Sequence, residues 1–148
     1  MERLRKFLRL PAADRRLLVK ALLIVGAARL GLWVLPFPVL RRLMARLSRC
    51  TAAPSRAEPA ELGQISWAVT AVSRYVPEAT CLTQALATKL LLCWRGQQAS
   101  LRIGVARSEA GQFIAHAWVE CNGRVVIGGP ASHLRQYALL PAYGEEIL

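Results

Sequence analysis

The chain has 148 residues, 54% of them hydrophobic and 20% charged, with a formal net charge of +11. That length fits one modest domain able to bury a core, and the absence of internal repeats or low-complexity tracts excludes solenoid and linker-like chains. Residues 1–50 carry twelve Lys/Arg against Glu2 and Asp14, a net of +10, whereas residues 51–148 are nearly neutral, so the excess suggests an acidic partner or an anionic surface for the first third alone.

Residues 1–10 read as a short basic helix stopped by Pro11. Ala13–Leu35 reads as a long helix, with Leu17, Leu18, Ala21, Leu22, Val25, Ala28 and Leu32 forming an apolar face. Its apolar run is interrupted by Lys20 and Arg29 and ended by Pro36 and Pro38, so no uninterrupted stretch reaches the ~20 residues that cross a bilayer. No small-residue cleavage site follows, so a signal peptide is not expected; an interfacial or partner-docking helix is compatible. Pro38–Arg49 suggests a third helix, with Leu40, Leu43, Met44 and Leu47 inward and the arginines outward. The expected division is a basic amphipathic helical region over 1–50, a linker over 51–60 containing Pro54 and Pro59, and a core over 61–148, together one compact domain. Glu61–Tyr75 is again helical, with Leu62, Ile65, Val69 and Val72 on one stripe.

Beyond residue 80 the pattern changes. Thr80 is a suitable cap for a helix from Cys81 to about Arg95, closed by Gly96. Ser100–Ala106 alternates as a strand, Ser108–Gly111 is a turn, and Gln112–Cys121 is a longer strand. Asn122-Gly123 predicts a two-residue hairpin returning through Arg124–Ile127. Both faces of the central strand are mostly apolar, which predicts burial between the Cys81 helix and other helices. The expected class is α+β: a helical N-terminal half, then one helix against a small antiparallel meander.

The chemistry sits on that second half. Cys81 begins a helix, where unpaired N–H groups and the helix dipole favour thiolate, and His116 follows 35 residues later on a strand. A thiol and an imidazole so placed form the layout of papain-like and transglutaminase-like nucleophilic enzymes. The alternatives are a structural thiol at Cys81 and a satisfied core histidine at His116. His133 reads as a surface residue, Cys93 as core among Leu90–Leu92 and Trp94, and Cys50 and Cys121 carry no comparable context. No CxxC or His-rich spacing points to a metal, no cofactor motif such as GxxxxGK[ST], GxGxxG or HExxH occurs, and no aromatic–basic alternation points to nucleic acid. Reduced cytosolic thiols are the expectation. Trp118 would lie beside His116 and, with Gln84, is a candidate for the substrate pocket.

A third group normally orients the imidazole. With a two-residue turn His116 would face Gly129 across the hairpin, and neither Gly128 nor Gly129 offers a side-chain acceptor. Glu120 shares the strand face but lies roughly 13 Å along it. A backbone carbonyl, Glu145 or Glu146, or a bound partner remain open as the orienting group.

These residues resemble the lasso-peptide leader peptidases, small bacterial cysteine proteases of the transglutaminase-like superfamily. The likeness runs over nearly the whole chain, through Phe7-Leu8-Arg9-Leu10, Cys81-Leu82 with Ala85-Leu86-Ala87, Leu91-Leu92, Gly96, Ile103-Gly104-Val105, and His116-Ala117-Trp118-Val119-Glu120 with Gly123-Arg124. The resemblance implies that Cys81 attacks the bond between leader and core of a ribosomally made precursor peptide, with His116 as base and then acid. It implies a separate leader-recognition protein acting in trans, a lasso cyclase downstream, and a cytoplasmic location, free or peripheral to the inner membrane surface. The family's third residue is an aspartate shortly after the His-Ala-Trp block, where this chain reads Ile127-Gly128-Gly129. Another thiol acyl-transfer enzyme, or a non-catalytic adaptor of the maturation complex, is the alternative.

Overall fold

A computed structural model describes residues 1–49 and 56–140. Five helices precede a small sheet: α1 (Glu2–Arg9), α2 (Ala12–Val34), α3 (Phe37–Leu47), α4 (Pro59–Ser73), α5 (Cys81–Trp94), then β1 (Ala99–Arg107), β2 (Phe113–Cys121), β3 (Arg124–Ile127), a short α6 (Ala131–Leu134) and β4 (Ala138–Leu139). The sheet is antiparallel in the order β3-β2-β1-β4. The expected α+β class, a helical half packed on an antiparallel sheet, is what forms.

The apolar stripes predict the packing because each must be covered. Leu17, Ala21, Val25 and Ala28 of α2 meet Leu62, Ile65, Val69 and Val72 of α4 and the body of α5 in a single core. α5 is apolar nearly all round and is accordingly central, touching α2 and α4 on one side and β1 and β2 on the other. Ala99 and Leu101 of β1 and Ala117, Val119 and Cys121 of β2 supply the sheet side of that core. The Thr80 hydroxyl accepts from the Thr83 N–H as the expected cap, and Gly96, at φ +75°, ends the helix. Asn122 and Gly123 both take positive φ, the type I′ pattern that fits strand twist.

Four expectations are corrected. Leu43 and Leu47 of α3, and Leu22 of α2, are exposed, because only one edge of α3 (Leu40, with Met44) meets the core. α2 forms 23 unbroken residues, long and apolar enough by composition to cross a membrane, since Lys20 and Arg29 interrupt the apolar run without interrupting the helix. The second face of β2 is not covered by long helices; the segment after β3 folds back instead, placing Tyr137 there and adding β4 beside β1. Cys93 is buried in the core as expected, but it is disulfide-bonded rather than reduced. The physical setting is the last turn of α5, which packs on the end of α3 so that Trp94 Nε1 donates to the Leu47 carbonyl at 3.1 Å. Cys50, residues 51–55 of the expected linker, and Glu145 and Glu146 lie outside the described residues.

Candidate active site

Cys81 is the first residue of α5 and is partly exposed. The Thr80 cap occupies the N–H groups of Thr83 and Gln84, through its hydroxyl and its carbonyl respectively. Those of Cys81 and Leu82 stay at the helix opening, at the positive end of the dipole. The other free thiol among the described residues, Cys121, is buried in the core, and burial pushes its pKa up, which keeps it protonated and inert.

Strand alternation places His116, Trp118 and Glu120 on the face of β2 away from Ala117, Val119 and Cys121. The ring of His116 stacks near Trp118, with centroids 6.3 Å apart, and meets Tyr137 at 5.4 Å. Trp118 is only 3% exposed, so it backs the imidazole instead of lining an opening. Its indole N–H donates to Glu120 Oε1 at 2.9 Å, and Arg102 holds the other carboxylate oxygen at 3.4 Å. Glu120 therefore reaches His116 through Trp118, not by contact. Gly104, paired with His116 in the β1–β2 register, makes this wall possible: a Cβ there would stand 2.7 Å from Tyr137 Cβ and 3.1 Å from the Trp118 ring.

The group that orients the imidazole is a main-chain carbonyl. His116 Nε2 lies 2.6 Å from Gly128 O, and because a carbonyl only accepts, Nε2 carries the proton and Nδ1 has the lone pair. The expected register across the hairpin is corrected here. Glu120 pairs with Val125 but Val119 with Ile127, so Val126 forms a bulge and every later residue moves one place. Gly128 rather than Ile127 is thereby brought opposite Trp118, and from there its carbonyl reaches His116. Its φ is +117°, and an added Cβ would sit 2.3 Å from Trp118 Cβ. An aspartate has no room there, and the missing side-chain acceptor is replaced by the bond that glycine permits.

Cys81 and His116 border one cleft of about 450 Å³, together with Ser66 and Thr70 of α4, Gln84 of α5, and Val126–Gly129 at the end of β3. Among the described residues no hydrogen bond joins the Cys81 sulfur to His116. Gln84 borders this cleft and Trp118 does not. His133 is exposed and edges against Tyr137 at 5.9 Å. Ser66, Thr70, Gly104, Gly128 and Tyr137 escape the sequence reading. Ser66 and Thr70 carry a faint signal, hydroxyls at i and i+4 on the polar side of a helix; Tyr137 has none, because only the returning chain puts it there. Among the described residues no cluster of three or more His, Cys, Asp or Glu side chains forms that could hold a metal ion.

A family model described as the transglutaminase-like superfamily matches residues 22–141. No curated protein and no solved structure shows a significant match to the chain.

Proposed function

Because the chain belongs to the transglutaminase-like superfamily, we propose that it is a cysteine peptidase that removes the leader from a ribosomally made lasso-peptide precursor. The observation that carries the reading is the shared cleft: a helix-opening thiol and an imidazole tautomerically fixed by Gly128 O border the same space. The Cys-Leu and His-Ala-Trp-Val-Glu blocks support the lasso-precursor substrate.

In this reading Cys81 Sγ attacks the scissile carbonyl carbon while its proton passes to His116 Nδ1, the ring nitrogen that the Gly128 bond leaves unprotonated. The oxyanion develops beside the free N–H groups at the start of α5, with the Gln84 side chain also bordering the cleft. The imidazolium then gives its proton to the departing core amine, and water resolves the thioester, releasing the leader as a carboxylate. Holding the imidazolium by a neutral carbonyl stabilises its charge less than a carboxylate would. The Trp118 and Tyr137 wall compensates in orientation, restricting the ring to one plane. The leader is presented by a separate recognition protein, and a lasso cyclase uses the freed amine.

The test is mass spectrometry of precursor incubated with the chain and the recognition protein. A single cut between leader and core, absent in Cys81→Ala, supports the reading. An amide product formed with an added primary amine in place of hydrolysis would assign acyl transfer, and an intact precursor with an unreactive Cys81 would assign an adaptor.

A further inference from the structure

α2 is apolar on two opposite sides, and only one is used. Leu17, Ala21, Val25 and Ala28 enter the core, whereas Val19, Leu23, Leu30, Trp33 and Val34 recur at helical spacing on the opposite side and face outward. The exposure is large: Leu23 67%, Leu30 57%, Trp33 77% and Val34 63%. At ~1.5 Å per residue this stripe runs roughly 22 Å along the helix. Gly26 lies within it, and a Cβ there would meet nothing within 4 Å.

The flanks of the stripe are basic. Arg16 and Lys20 are exposed beside it, and α1 joins α2 at Pro11, with the Arg15 guanidinium donating to the Leu8 carbonyl at 3.4 Å. α1 itself buries no residue: Leu4 and Leu8 lie exposed on one side, and Arg3, Arg5, Lys6 and Arg9 on the other. α3 repeats the pattern, with Val39, Leu43 and Leu47 exposed among Arg41, Arg42 and Arg46.

From this arrangement we propose that α1 and the outer side of α2 form a docking surface for an anionic lipid bilayer, with α2 lying along the interface. Apolar side chains enter the acyl boundary while basic ones reach the headgroups, the combination that holds interfacial helices. Charge complementarity selects this occupant. The net +10 of residues 1–50 opposes pairing of two copies through the same surface, and nucleic acid leaves the apolar stripe exposed. A spanning α2 is disfavoured because its inner side is already packed against α4 and α5. This inference is independent of the thiol chemistry.

The experiment is flotation of the full chain with vesicles of phosphatidylcholine alone, or with one quarter phosphatidylglycerol, at low and high salt. Flotation with the anionic vesicles, falling at least tenfold in apparent affinity at high salt, is expected, because exposed charges are screened beyond ~8 Å at physiological ionic strength. The triple variant Leu23→Gln, Leu30→Gln, Trp33→Gln should lose at least tenfold with an unchanged circular dichroism spectrum. Independently of that variant's folding, wild-type tryptophan emission should shift to the blue on vesicle addition, and Trp33→Phe should remove most of the shift. No flotation with anionic vesicles at any salt overturns the proposal, as does equal binding of a folded triple variant. A concentration-dependent dimer that the triple variant abolishes, without vesicle binding, assigns the surface to a second copy and equally overturns it.

Discussion

Replacing Gly128 by alanine tests the orienting carbonyl directly. The new Cβ would lie 2.3 Å from Trp118 Cβ and 2.9 Å from Trp118 Cα, with the residue at φ +117°. Ordinary carbon contacts begin near ~3.5 Å, so about 1 Å of relief is required. Neither atom is the end of a flexible side chain, so the relief must come from the backbone. Left-handed strain costs ~1–3 kcal/mol and overpacking another ~1–3 kcal/mol. Together they remove a large share of the ~5–15 kcal/mol that holds a typical domain. The same movement breaks the 2.6 Å bond to His116 Nε2. A displacement of about 1 Å at a catalytic group costs on the order of 10²-fold in rate. Gly129→Ala is the matched control: its φ is +106°, but a Cβ there meets nothing within 4 Å, so it bears the strain without the clash. Thermal unfolding and precursor cleavage, both read below the lower midpoint, should place Gly128→Ala well behind Gly129→Ala on each measure. Equal stability of the two variants, with wild-type cleavage by Gly128→Ala, would refute the role given to the carbonyl.

Cys81→Ala should abolish cleavage, and His116→Ala should keep the circular dichroism spectrum while losing roughly 10²-fold or more in rate; iodoacetamide at neutral pH, located by peptide mapping, should label Cys81 and spare Cys121, whose pKa burial raises. Glu120→Gln keeps an acceptor for the Trp118 indole and should leave cleavage near wild type, whereas Glu120→Ala should lose about 1 kcal/mol in urea unfolding and turn over more slowly as the wall behind His116 loosens; an inactive but stable Glu120→Gln would show that the carboxylate charge itself acts. Lys89 is partly buried beside Leu40, Met44 and Leu86, and desolvation holds its pKa below 10.5. Between the lowered value and 10.5 the unfolded chain binds more protons, so this lysine makes stability rise with pH across that window, while below it the penalty is full and constant. Lys89→Met should therefore be more stable at pH 7 in urea titrations and lack that alkaline rise.

How much was legible follows from how local each cause is. Cys81 at a helix opening was readable because Thr80, the apolar run after it and Gly96 all act within one helix, and the stripes of α2 and α4 were readable because period and burial coincide. The type I′ turn at Asn122-Gly123 and the strand position of His116 belong to the same class of short-range signals. The orienting group did not. A one-residue bulge at Val126 puts Gly128, where an unbroken register would put Ile127, opposite Trp118, and a bulge has no requirement for any residue type, so nothing local announces that the Gly128 carbonyl reaches His116. Tyr137 becomes part of the site only because β4 pairs with β1, a two-residue contact too short to leave a pattern. Helix boundaries, caps and apolar faces are determined by neighbours in sequence, and the sequence alone was sufficient for them. The hydrogen bond to His116, its aromatic wall, and the burial of Trp118 behind the ring depend on segments that meet only after the chain has packed, and tertiary structure alone decided them.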